Sequence, residues 1–109
     1  MKIKEYIRED GANPYQKWFN RLNAVAAAKV AVAILRLEMG NTSNIKWLGS
    51  IGEYRINWGP GYRIYLAAEG RKLIILFGGG TKRRQAADIK KAEGLYKEYL
   101  ARKKIEKSG

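Results

Sequence analysis

Along Met1–Arg8, Ile3, Glu5 and Ile7 alternate with Lys2, Lys4 and Tyr6, a period of two that predicts a short strand. The period then changes. Asn13-Pro14 supplies an N-cap followed by proline at the first helical position, and Tyr15, Trp18, Phe19 and Leu22 follow at i, i+3, i+4 and i+7 as the apolar stripe of a short helix. Asn23 is placed to cap a second helix and Gly40-Asn41 to end it. Ala27, Val30, Ile34 and Leu37 run along one side of that helix, and its alanines suit close approach of the two helices as a helical hairpin. Trp18 and Phe19 are expected in the core.

After the polar loop Asn41–Asn44, Ile45–Leu48 reads as extended, and Glu53–Trp58, Tyr62–Ala67 and Lys72–Phe77 read as a β-meander. Gly59-Pro60-Gly61 makes its first turn and Glu69-Gly70 its second. Thr81 is placed to cap a C-terminal helix with Ile89, Ala92, Tyr96 and Tyr99 as its buried stripe, weakened at Gly94 by about 1 kcal/mol relative to alanine. The basic tail from Arg102 to Gly109 is expected to fray. The pattern predicts one α+β domain over residues 1–109.

Register decides where the charges go. A three-residue loop at Gly59–Gly61 would pair Trp58 with Tyr62, Asn57 with Arg63, Ile56 with Ile64 and Arg55 with Tyr65. Arg55, Asn57, Arg63 and Tyr65 then share one sheet face, and Ile56, Trp58, Tyr62 and Ile64 pack on the helical hairpin. The third strand of the meander is apolar on both faces, as a covered strand is. The polar face reads either as the solvated side of a half-buried sheet or as a cationic surface for phosphates.

Charge sharpens this picture. Twenty-two Lys and Arg against ten Asp and Glu give a net charge of +12, which implies an acidic partner such as nucleic acid, a membrane surface or an acidic protein. The chain has no cysteine and no histidine, so disulfides, thiolate metal sites and histidine bases are excluded. With no apolar block at the N-terminus, a cytoplasmic protein without membrane contact is expected. Gly78-Gly79-Gly80 reads as a strand-to-helix turn, and it lacks the spacing of a nucleotide-binding P-loop. Lys82, Arg83 and Arg84 follow at a helix start, where three cations oppose the helix dipole unless an anion is bound. Lys90, Lys91, Lys97 and Arg102–Lys104 read as a solvated basic face.

The pattern EYRI-x-x-GPGYRIY, then LFGGGTK, then Q-x-x-DI-x-x-A, preceded by W-F-x-x-L and RLEMGN, resembles the "addiction module killer protein" branch of the RelE/ParE toxins, close to HigB. The similarity runs from about Tyr15 to Leu100, and it lies in the order and spacing of motifs that are individually weak. The resemblance implies a RelE-like fold, a helical hairpin on a small, mostly antiparallel sheet. It also implies the toxin of a type II toxin–antitoxin pair, held in a hetero-oligomer with a helix-turn-helix (HigA-like) antitoxin and touching operator DNA only through it. Such toxins are endoribonucleases that cut mRNA in the ribosomal A site without metal or cofactor. The 2′-hydroxyl attacks the adjacent phosphate to give a 2′,3′-cyclic phosphate.

Carried over by position, the resemblance makes Arg63 the phosphate-stabilising arginine, matches Arg55 to the first of two strand lysines, and matches Lys82-Arg83 to the basic pair after the last strand. The second strand lysine is replaced by Asn57. The family's C-terminal tyrosine and histidines have no counterpart, and Gln85, Asp88 and Ile89 occupy that region. Asn57, Arg83, Arg84 and Gln85 are thus candidate RNA contacts, beside Arg63, Arg55 and Lys82 as candidate catalytic groups. Tyr65 and Asp88 are the candidates for the base. A cationic field would lower the Tyr65 pKa toward use, and Asp88 could instead bond the helix start or an arginine. Two alternatives stand beside cleavage: a ParE-like gyrase poison, and a degenerate toxin that only binds its antitoxin.

Overall fold

Asn13 and Asn23 start two helices by the same device. Each side-chain oxygen accepts a hydrogen bond from a first-turn amide, Gln16 N at 3.0 Å and Ala26 N at 2.9 Å. The computed structural model describes residues Met1–Ser108. Their order is β1 (Lys2–Glu5), α1 (Pro14–Phe19), α2 (Ala24–Glu38), β2 (Ile45–Leu48), β3 (Ile51–Ile56), β4 (Tyr62–Glu69), β5 (Leu73–Thr81), a 3-10 turn (Lys82–Arg84) and α3 (Gln85–Ser108). As the sequence predicts, α2 stops at Gly40, which takes φ +86°. The amides of Gly40 and Asn41 return to the carbonyls of Leu37 and Arg36, satisfying the last turn.

The strands form one mixed sheet in the order β1-β5-β4-β3-β2, antiparallel except for β1, which runs parallel to β5. The fold is therefore α+β. Its interior strand β5, between β1 and β4, is apolar on both faces, as expected. Ile74 and Leu76 join Ile64 and Leu66 under Trp18 of α1 and Val30 and Leu37 of α2. Ile75 and Phe77 join Tyr65 and Ala67 under Ala92 and Leu95 of α3. The sheet is covered on both sides, because α3 carries a second apolar stripe that water would otherwise solvate.

Three expectations change. First, α1 has six residues, too few to run along the 15 of α2; it packs on β5, whereas α2 packs on β1 and β3. Ala24, Ala28 and Ala31 of α2 face outward and are exposed, while Ala26 and Ala33 join Val30 and Leu37 in its buried stripe. Second, Ile56 pairs with Tyr62, Arg55 with Arg63 and Glu53 with Tyr65, two residues away from the expected register. Gly59 at φ +58° and Gly61 at φ +75° shape a turn closed by Gly61 N to Trp58 O at 3.2 Å, which takes Asn57 and Trp58 out of the ladder. A shift of two keeps every remaining side chain on its predicted face. Trp58 still stacks on Tyr62, with ring centroids 6.1 Å apart.

Third, Gly78-Gly79-Gly80 is strand, not turn. After a bulge between Tyr65/Leu66 and β5, Gly78, Gly79 and Gly80 pair with Tyr65, Ile64 and Arg63. A side chain on Gly79 would start 2.5 Å from the Trp18 ring, and one on Gly80 would collide with the Asp88 carboxylate. Gly79 and Gly80 are there because other groups occupy their side-chain space. Gly79→Ala must push the indole out of a closed core layer, so a loss of about 1–3 kcal/mol is expected, read as a lower thermal midpoint.

The C-terminal segment corrects two more expectations. Thr81 makes no side-chain cap, because the 3-10 turn Lys82–Arg84 comes between it and α3. Arg102–Ser108 continues α3 instead of fraying; Gly109 lies outside the described residues. Arg102 Nη1 donates to Ile7 O at 2.8 Å and Tyr6 Oη at 3.2 Å, and Lys103 Nζ meets Glu69 Oε1 at 2.6 Å. Two of the cations read as solvated therefore fasten α3 to the strand ends. Among the described residues no helix is long and apolar enough to cross a membrane.

Candidate functional site

Alternation along three neighbouring strands lines up Glu53 on β3, Arg63 and Tyr65 on β4, and Gly78 and Gly80 on β5, on the face that α3 enters. Glu53 is the centre of this row and is 0% exposed. Its Oε1 accepts from Arg55 Nε at 2.9 Å, and its Oε2 accepts from Gln85 Nε2 at 2.8 Å and Tyr65 Oη at 3.3 Å. Arg63 Nε lies 3.5 Å from the same oxygen, a charge contact without hydrogen-bond geometry, while Arg63 Nη1 donates to Gly61 O at 2.8 Å. Arg55 and Arg63 stand directly opposite on the ladder, a like-charge pair that is unfavourable by itself. The buried carboxylate between them offsets that repulsion. Burial alone would raise the Glu53 pKa, but hydrogen bonds from Arg55 and Gln85 and the nearby arginine charges hold it below its ordinary value.

Two of the expected roles change here. Arg63 is 7% exposed, not an open surface arginine, because the turn after β5 and the start of α3 cover it. Arg63 Nη1 and Lys82 Cβ both come within 3.4 Å of the place where a Gly61 side chain would begin. Tyr65 is buried and donates to Glu53. Burial, followed by the charges of Glu53 and Asp88, raises its pKa rather than lowering it, so Tyr65 is no base near neutral pH.

Asp88 is placed differently. Its carboxylate lies on Gly80, and its Oδ2 is buried without a hydrogen-bond partner. It neither caps the helix through that atom nor, among the described residues, forms an ion pair. Burial raises its pKa above the ordinary value against the lowering charges of Arg84, Lys91 and Arg21. A cleft of about 500 Å³ opens beside it, floored by Gly78–Gly80 and rimmed by Arg21, Arg84 and Lys91. Space above Gly78 is empty to 4 Å. The arrangement provides a proton acceptor next to backbone and cations, which suits a phosphate diester.

The structure thus gathers Arg55, Arg63, Tyr65 and Gln85 on Glu53, sets Lys82 beside them, and puts Asp88 and Arg84 at the neighbouring cleft. Lys82, Arg83 and Arg84 are all exposed. Asn57 is exposed in the β3–β4 loop and lines a different groove with Arg55 and Trp58. The residue missed in the sequence is Glu53. Its signal was present, since it is two residues before Arg55 on the same strand face and is the acid in that cationic row.

No family model matches the chain, and no solved structure matches it. A protein of Haemophilus influenzae described as "Uncharacterized protein" is 42% identical over 86 residues, 77% of this chain and 87% of its own length. At that identity and coverage, the chain belongs to the family of this Haemophilus influenzae protein.

Proposed function

We propose that the protein is the toxin of a type II toxin–antitoxin pair with a RelE-like fold, and that it cleaves mRNA at the face joining Glu53 to Asp88. The observation that carries this reading is the buried Glu53 carboxylate holding Arg55 and Arg63 beneath the exposed cations of Lys82–Arg84, with an unpartnered Asp88 alongside. Three strands of order β5-β4-β3 and one helix start bring these groups together. In this scheme Lys82, Arg83, Arg84 and Arg55 hold the backbone phosphates, and Arg63 is a charge fixed in place before RNA arrives. Asp88 takes the proton from the 2′-hydroxyl; the oxygen attacks phosphorus, the bond to the 5′-oxygen breaks, and that oxygen takes a proton from a cation or water. The cyclic phosphate and a free 5′-hydroxyl remain. The acceptor needs no histidine, because burial has already raised the Asp88 pKa toward the working range.

Cations exposed on a turn contribute to RNA affinity without holding the fold. With roughly five phosphates contacted, log affinity against log salt slopes near −3.5 for single-stranded RNA, and Lys82→Ala, Arg83→Ala and Arg84→Ala together bring it to about −1.4. Filter binding of single-stranded RNA over a salt series reads this directly; an unchanged slope places the RNA elsewhere. In cells, mapping of mRNA 5′ ends after a brief pulse of expression tests the activity. New ends inside translated frames, absent in the triple variant, are expected. DNA damage signalling without new ends would point to gyrase instead.

The burial of Arg63 and Tyr65 favours one second reading, a domain that binds its antitoxin and cleaves nothing. Growth that continues through the pulse, with no new ends, identifies that case.

A further inference from the structure

The outward face of α2 is as apolar as its buried face. Val25, Ala28, Val32, Leu35 and Met39 are all exposed, and their spacing alternates three and four residues along the helix. That alternation aligns them in a narrow seam, the arrangement by which one helix packs along another at a shallow angle. A surface helix of a monomer carries polar residues there, yet Leu35 is 58% and Met39 84% exposed. Ala24 and Ala31, also exposed, flank the seam and leave room for a second backbone to come close.

The other flank is charged. Lys29 and Arg36 each follow a seam residue by one position, and both line a groove of about 560 Å³ that continues to Arg55 and Trp58. Lys29 Nζ lies 5.6 Å from the Trp58 ring centroid. The groove has three cations and, among the described residues, no carboxylate in its lining. Two copies of this seam packed antiparallel would oppose Lys29 and Arg36 to their own equivalents, in a chain already at +12. A lipid surface takes basic amphipathic helices too, but through broad faces rich in Trp, Phe and Leu, not a single-file seam bordered by alanine.

We propose that the outer face of α2 docks an amphipathic helix of a partner protein, one with apolar residues at the same alternating spacing and acidic residues on the flank that meets Lys29 and Arg36. The seam lies on the opposite side of the sheet from Glu53 and Asp88, so the docking stands whether or not RNA is the substrate. A helical peptide of three heptads with leucine at a and d and glutamate at e and g is the probe, and the same peptide with lysine at e and g is its control. Like charges keep each peptide from pairing with itself. By calorimetry the glutamate peptide should bind one-to-one, at least about tenfold tighter than the lysine peptide, and more weakly in high salt. Val32→Ser with Leu35→Ser should lose that binding by about tenfold or more, with an unchanged circular dichroism spectrum and unchanged RNA affinity. Equal binding of both peptides, or full binding to the folded double variant, overturns the proposal. So does a dimer in sedimentation, or capture by phosphatidylglycerol vesicles, that the double variant abolishes; the first would assign the seam to a second copy and the second to a membrane.

Discussion

Glu53→Ala lowers the folding free energy by about 3–5 kcal/mol, a large part of the total for a domain of this size. The carboxylate is fully buried and serves Arg55, Gln85 and Tyr65 as acceptor and Arg63 as counter-charge. Without it, Arg63 stays in a site with almost no water, opposite another arginine. Arg63→Ala is also destabilising, by about 3 kcal/mol, since it leaves the carboxylate short of its closest buried cation. Loss of activity in Arg63→Ala therefore reports the fold as much as the chemistry. Combining Glu53→Gln with Arg63→Met should cost less than the sum of the two single changes, because neither partner is then left charged and alone. Thermal or urea unfolding of the four proteins gives the cycle; strict additivity would mean that the two groups do not interact.

The same group sets an acid limit. Glu53 has a folded-state pKa below its unfolded value near 4.5. Its contribution is fully present above that pH and is lost as pH falls through the folded value. Unfolding midpoints measured at descending pH should drop below about pH 4.5 in the parent and much less in a Glu53→Gln background. Asp88 has the opposite sign. Its raised folded pKa means that the ionised form is disfavoured in the fold, so its contribution improves as pH falls.

Asp88→Asn is expected to reduce RNA cleavage by about a hundredfold or more while leaving the protein at least as stable at pH 7. The carboxylate has no partner on Oδ2 to lose, and burial disfavours its charge. Activity and stability should therefore move in opposite directions, which a merely structural aspartate would not produce. In the parent, the acid limb of the cleavage rate should lie above the ordinary aspartate value of 3.8, and it should be absent from the residual rate of Asp88→Asn. Cleavage at the parental rate by Asp88→Asn would remove the residue from the mechanism. Single-turnover cleavage on programmed ribosomes over a pH series provides both readings.

Local signals in the chain were strong where one residue dictates one geometry. Asn13 and Asn23 as caps, Gly40 as helix end, and the alternation that assigns Arg55, Arg63 and Tyr65 to one face were all legible and are all present. The two-residue register shift was not legible, since Gly59-Pro60-Gly61 fits a three- or a five-residue loop equally well and only the bond from Gly61 to Trp58 distinguishes them. The triple glycine was misread as a turn for a related reason. A glycine required by a neighbour in space is identical in sequence to one required by φ; Trp18 is distant along the chain from Gly79, and Asp88 reaches Gly80 only because α3 folds back over the sheet.

The sequence by itself determined the element types, the apolar interior strand β5, the α+β class and the concentration of cations around β3, β4 and the turn after β5. Each follows from periodicity or composition, which act over a few residues. Only the tertiary structure decided that α3 covers the cationic face, that Glu53 neutralises its centre, that Tyr65 is a donor rather than a base, and that Asp88 Oδ2 has no hydrogen-bond partner among the described residues. Those outcomes depend on burial and on charges brought together from separate strands and a helix. A carboxylate's role is set by what desolvates it and what points at it, and neither is recorded at its own position in the chain.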